Sequence, residues 1–251
     1  MITIKPLTIM VPIPTPPGPG PLPPVPINTV RVRTSDGNVP IKSDLTSYET
    51  ATLVTGTSDV YDVYKSGNSF YALLFQSTNV IEALDVNTTG ITYMDSMFQG
   101  CTSLTSVTLF DTSKVTDMSH MFSGCSNLTT VPLFNTSNVT NMDSMFYGCS
   151  NLTTVPLFNT AKVTDMSWLF ANCTSLTSVP LFNTYKVNDI HRMFSGCTNV
   201  QSGALALYQQ ASSQVTPPSR YDDTFYNCGK NTTTGAAELA QIPSSWGGTG
   251  A

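Results

Sequence analysis

Charge is scarce in this chain. Asp, Glu, Lys and Arg make up 11% of its 251 residues, with 11 basic against 16 acidic side chains and a net charge of −5. A phosphate-binding surface needs clustered Lys and Arg, so nucleic acid is excluded as an expected partner. Histidine is scarcer still, with only His120 and His191. No apolar run reaches the length of a membrane span. The six cysteines include no CxxC pair, the usual mark of a zinc or redox motif. No strained nucleophile turn or Gly-rich oxyanion loop is visible, so neither a catalytic constellation nor an enzyme is expected. No metal or cofactor is expected either.

The chain does contain repetition. Residues 91–202 are one 24-residue sequence written nearly five times over, opening at Ile91, Val115, Val139, Val163 and Val187. A fixed period in this range indicates stacked coils of the leucine-rich-repeat type. Matching apolar columns run through the copies: Met94, Met118, Met142, Met166, Ile190; Met97, Met121, Met145, Leu169, Met193; and Phe98, Phe122, Phe146, Phe170, Phe194. Within a copy, Val115, Met118, Met121 and Phe122 have helical spacing. Thr116 and its equivalents precede the run as candidate caps. Gly100, Gly124, Gly148, Asn172 and Gly196 close it, all residues that tolerate a left-handed end. The expectation is therefore a helix of about two turns in every copy.

A short strand is expected next, through Leu104, Val107 and Leu109 and their equivalents. It should end near Pro132, Pro156 and Pro180, which cannot donate to a sheet ladder. Phe110, Phe134, Phe158 and Phe182 read as a second internal spine. Asp111, Asn135, Asn159 and Asn183 read as a ladder satisfying turn backbone. Cys101, Cys125, Cys149, Cys173 and Cys197 read as small buried thiols, although neighbouring coils lie close enough for a disulfide. Asp117, Asp165 and Asp189 form an acidic column, read as complementing first helical turns rather than binding calcium.

The run MSHMFSGCSNLTTVPLFNTSNVTNMDSMFYGC resembles the BspA-type bacterial surface leucine-rich repeats, with their M-x-x-MF-x-GC-x-x-L core and D/N-T-S-x-V-T link. That resemblance covers about half the chain. It implies a protein of bacterial surfaces or of bacteriophage particles, associated with adhesion.

Around the repeats the chain divides into a Pro-rich arm (1–27), a small β segment (28–66), a degenerate capping repeat (67–90) and a C-terminal cap (203–251). The arm holds ten of the seventeen prolines and favours polyproline II. It reads as a spacer or as a docking arm, since Ile2, Ile4, Leu7, Ile9, Val11, Ile13 and Leu22 give it apolar surface. It has neither the apolar h-region of a secretory signal nor a lipobox-like Cys. In the β segment, Asp36-Gly37 signals a hairpin, and Arg31 and Arg33 are expected on an edge strand. Ala204–Ala211 reads as a helix stopped by Pro217-Pro218. Trp246 should close the apolar end.

The fold class expected is thus α/β: a leucine-rich-repeat solenoid of about six or seven coils, with short parallel strands and short helices, an extended Pro-rich arm and a small β segment. Positions that vary between copies are where a repeat protein carries specificity. They nominate Tyr147, Trp168, Tyr185, His120, His191 and Arg192 as ligand contacts, because exposed aromatics suit sugar faces or protein hot spots. The Thr105, Thr129, Thr153, Thr177 stripe suits glycan or simply a soluble face. The expected function is a non-enzymatic bacteriophage virion surface protein, of head or tail fibre or decoration type. Residues 1–66 would attach it to capsid or tail proteins, in a homo-oligomer. The repeats would bind host surface protein or glycan. The alternative is a bacterial cell-surface adhesin.

Overall fold

A computed structural model describes residues 22–26, 29–38, 50–55, 57–64, 67–70, 74 and 77–250. Residues 1–21 of the Pro-rich arm lie outside the described residues. A five-stranded mixed sheet leads into stacked coils, and two helices close the far end.

The sheet comprises β1 (Thr29–Thr34), β2 (Thr50–Leu53), β3 (Val60–Tyr64), β4 (Val80–Asn87) and β5 (Ser106–Val107), in the order β2-β3-β1-β4-β5. All pairings are antiparallel except β4 with β5. Strand β1 is interior, between β3 and β4, and not an edge strand as its sequence suggests. Its Arg31 is accordingly buried (3% exposed) and grips Asp62 with two hydrogen bonds of 2.7 and 2.8 Å. A third goes to the carbonyl of Pro23, fixing the end of the arm on the sheet. Asp36-Gly37 turns the chain at the end of β1 but makes no two-residue hairpin, because β1 pairs with β3 and β4.

From Ser69 onward successive coils pair in parallel through single bridges: Ser69 with Tyr93, then Asp117, Asn141, Asp165, Asp189 and Arg220. Alternate amides donate to the next coil. Met94, Ser96, Phe98 and Gly100 bond the carbonyls of Asp117, Ser119, Met121 and Ser123, and each later coil repeats the set. Between them run tight local turns, as from Met97 to Met94, Cys101 to Phe98 and Leu104 to Cys101.

The expected two-turn helices therefore do not form anywhere in 91–202. Consecutive three-residue turns place apolar residues at the same i, i+3 spacing as a helix, so the spacing alone does not separate the two. The amides that would bond four residues back bond across coils instead.

The expected strand also shrinks. Only the first copy has one, β5, where Thr108 donates its amide to Ala83. Later copies carry Pro132, Pro156 and Pro180 at that position and lose the donor. In two of them a tight turn follows: the amides of Phe134 and Phe182 bond the carbonyls of Pro132 and Pro180. Such a turn swings its central residue outward. Leu133 and Leu181, at the centre of these turns, are 59% and 52% exposed; Leu109 and Leu157 are equally exposed, at 64% and 61%, so the whole column lies on the surface.

The core lies along the coil axis. Met94, Met97, Phe98, Leu104 and their equivalents are fully buried. Phe98, Phe122, Phe146, Phe170 and Phe194 stack at 5.3–5.6 Å between centroids. Phe134, Phe158 and Phe182 pack against that spine at 6.0–6.1 Å. All six cysteines are buried free thiols. Each repeat thiol donates to a carbonyl of the preceding coil, as Cys125 to Phe98 at 3.0 Å and Cys149 to Phe122 at 3.1 Å. Burial pushes the Cys197 thiol up to about 12.

The ends are closed differently. After Cys197 the chain forms α1 (Ala204–Ser212), then a last coil in which Phe225 stacks on Phe194 at 6.2 Å. Helix α2 (Thr233–Leu239) follows, capped by the Thr232 hydroxyl. Trp246 stacks on Tyr221 at 4.5 Å and meets Tyr208 edge-on at 5.2 Å, sealing this end.

Candidate functional site

The sixth position of each copy is held by backbone, not by side chain. Its amide bonds the next coil, and its φ lies between 54° and 56° at Ser96, His120, Ser144, Trp168 and Arg192. This is the left-handed region, where a side chain costs free energy and Gly or Asn is cheapest. The tenth position has the same conformation and uses only Gly or Asn172. The sixth uses neither. Side chains, three of them large, thus stand in a row at a conformation that stability alone would fill with glycine.

The row leads into a groove of about 340 Å³ lined by Gln99, His120, Ser123, Ser144, Tyr147 and Trp168. Tyr147 meets the Trp168 ring at 5.9 Å, and His191 meets it at 5.5 Å with the planes at 81°. The Arg192 guanidinium sits over the indole, 4.8 Å from its centroid. Five of the six nominated residues therefore form one connected cluster. Tyr185 stands apart. It is 67% exposed and lines a separate groove with Leu181, Asn183, Gln210, Ser213, Gln214 and Val215.

Acidic partners hold both histidines and the arginine of the cluster. His120 Nε2 lies 3.3 Å from Asp143, which keeps the imidazole above its ordinary pKa against the effect of burial. Burial alone would raise Asp143. Hydrogen bonds from His120, Ser144 and Ser167 outweigh that and hold it below the usual carboxylate range. His191 Nδ1 is 2.7 Å from Asp222, and Arg192 pairs with Asp223 at 3.0 Å. Residues Asp222 and Asp223 belong to the irregular last coil, so their place beside the row was not readable from the 24-residue template.

The acidic column does internal work. Asp117 and Asp165 accept from the amide and hydroxyl of Ser119 and Ser167, two residues on, and Asp189 accepts from the His191 amide. With no helix present these carboxylates close turns; they do not complement a helix dipole. Asp111, Asn135, Asn159 and Asn183 do the same for the amides of Ser113, Ser137, Ala161 and Tyr185. The Thr stripe is partly committed as well: the hydroxyls of Thr105, Thr153 and Thr177 donate to carbonyls of the preceding coil. One column escaped the sequence reading. Thr112, Thr136 and Thr160 are buried to within 1% and donate to the carbonyls of Asn135, Asn159 and Asn183. A third groove, of about 460 Å³, runs between Pro24, Val25, Asp85, Asp111 and Lys114 and holds none of the nominated residues.

The family described as "Mycoplasma protein of unknown function, DUF285" matches residues 68–154, 92–208 and 127–230, together more than half of the chain. The chain belongs to this family. The matches cover the coils and leave out β1–β3. No curated protein matches the chain. Among solved structures, a leucine-rich repeat protein from Eubacterium ventriosum is similar at 20% identity with a TM-score of 0.43, over 66% of this chain and 44% of that one. The chain thus spans less than half the length of that protein. No described helix is long and apolar enough to cross a membrane.

Proposed function

We propose that this chain is a non-enzymatic recognition protein, a leucine-rich-repeat solenoid displayed on a bacteriophage virion, where it adheres to host surface protein or glycan. The observation that carries the recognition role is the sixth-position row. Repeats that keep their core columns nearly constant vary here, and hold His120, Trp168 and Arg192 at a left-handed backbone. Specificity placed on one face of a repeat stack is how such architectures bind partners. Attachment through the segment before the coils is supported by Arg31, which ties Pro23 to the sheet. The second reading is a bacterial cell-surface adhesin, favoured by the Mycoplasma description of the family.

The test is fractionation of the source system into intact virus particles, cell envelopes and cytosol, with the chain followed by peptide mass spectrometry. Fixed stoichiometry in purified particles supports the virion. Presence only in envelopes replaces it with the adhesin. Parallel binding of the purified chain to host cells tests adhesion itself, and no binding at all would remove the recognition role.

A further inference from the structure

Within the row, a small residue stands between two large ones. Ser144 lies between His120, one coil before it, and Trp168, one coil after it, and all three line the same groove. Adjacent coils pair through parallel bridges, so roughly 10 Å separates the two large side chains, two spacings of ~4.8 Å. Arg192 of the following coil covers the indole from its side. With Arg192 on one side, the indole has the groove on the other, where Tyr147 of the Ser144 coil meets it edge-on at 5.9 Å between centroids and Ser144 leaves room beside it.

We propose that this slot binds the ring of a neutral pyranose, stacked on Trp168 with its hydroxyls met by Gln99, Ser123, Ser144 and Tyr147. The inference rests on the recognition reading above and names its ligand class. Three features select the class. A ligand midway in the slot stands ~4.8 Å from each wall, beyond the ~3.5–4.0 Å at which flat carbon rings stack. A saturated chair, thicker by its puckers and hydrogens, fills that distance. The floor is hydroxyl and amide, which suits a ring bearing hydroxyls and not a wholly apolar ligand. The surrounding charge is acidic: Asp143 pairs with His120, and the charges of Asp95 and Asp117 act on the same imidazole. An anionic sugar would meet that field unfavourably, whereas a neutral one is indifferent to it.

The chain has two tryptophans, Trp168 in the slot and Trp246 sealed in the C-terminal cap, so each spectrum carries its own reference. The experiment titrates the full chain with methyl glycosides of glucose, galactose, mannose and N-acetylglucosamine, following both indole N–H resonances by NMR. The expected result is a saturable shift of the Trp168 signal with at least one glycoside, Kd on the order of 1 mM, while Trp246 stays still. Ser144→Arg fills the slot with a side chain that the sixth position already accommodates at Arg192, and should weaken binding at least tenfold. Trp168→Ser restores the residue found at Ser96 and Ser144, and should abolish it. No glycoside moving the Trp168 signal, unchanged binding by Ser144→Arg, or tighter binding of sialyllactose or arginine methyl ester than of any neutral glycoside would each overturn the proposal. Cell binding is measured on the same variants. Adhesion by the native chain with no glycoside moving its Trp168 signal sinks the slot alone. Glycoside binding without adhesion sinks the recognition role alone.

Discussion

Replacing Leu152 and Leu157, one at a time, by alanine separates the buried column of a coil from the exposed one. The two leucines lie five residues apart in the same central copy, but Leu152 is fully buried and Leu157 is 61% exposed. Truncating Leu152 removes about three methylene equivalents from water-free surroundings, about 2.4 kcal/mol at ~0.8 each. The cavity adds to this. The site collapses poorly, because the Leu152 amide is bonded to Cys149 and the Thr153 amide to Thr129 of the coil before. An unrelaxed void of about 60 Å³ contributes about 1.5 kcal/mol more. The total is about 4 kcal/mol, within the usual range of ~2–5 for such changes. Leu157 has under half its side chain to lose from burial and should cost about 1 kcal/mol or less. Equilibrium urea unfolding followed by both far-ultraviolet circular dichroism and tryptophan fluorescence measures each difference. The two probes must agree, because stacked repeats can lose cooperativity. Equal losses for the two variants, or a loss under half a kcal/mol for Leu152→Ala, would refute this assignment of inside and outside.

Other expectations follow from single positions. Gly148→Ala should cost about 1–2 kcal/mol from its left-handed backbone alone, since an added Cβ would sit 3.8 Å from Gly124. Gly203→Ala should cost more in the same unfolding assay, because its Cβ would lie 2.3 Å from the Val179 carbonyl oxygen. His120→Ser should matter in a defined pH window. The imidazole is raised in the folded state, so its contribution is present below the unfolded value near 6.5 and fades as pH rises through the folded one. Asp143 is lowered, so its share is present above about 4 and fades only in acid. The stability lost by His120→Ser should therefore be larger at about pH 5.5 than at about pH 8.5, and a half-exposed pair limits it to about 0.2–1 kcal/mol. A loss that grows toward alkaline pH would contradict the pairing. Finally, the six buried thiols should resist a thiol-specific chromogenic reagent in the native chain and all react after denaturation. Fast native labelling of any of them would show that its coil opens.

Much of the coil was legible because identical residues recur at identical places. The Met and Phe columns, the Asn-closed turns and the left-handed Gly100 column are local demands repeated until they stand out. What failed was local inference from spacing. Turns closing every three residues imitate a helix in spacing, although Thr116, Asp117, Ser119, His120 and Ser123 are all poor helix formers. The turn after Pro132 that sends Leu133 outward follows from a two-residue hydrogen bond that no apolar pattern encodes. Arg31 looked like an edge residue because its partner, Asp62, is thirty-one residues away on another strand. The sixth-position row was visible as variation, but its left-handed backbone was not. Residues as unlike as Ser96, Trp168 and Arg192 share that conformation only because the next coil captures their amides.

That capture has a consequence for length. The first four sixth-position amides bond the carbonyl one residue short of a full copy ahead, Ser96 to Ser119, His120 to Asp143, Ser144 to Ser167 and Trp168 to His191. Excising residues 139–162, or duplicating them, would rejoin equivalent residues and leave every donor opposite an equivalent acceptor. The two ends, one a sheet and the other helices with Trp246, would not register the change. The molecule is therefore built like a tally stick. Its reach can be lengthened or shortened in steps of ~4.8 Å, and each added notch brings one new sixth-position letter to that face.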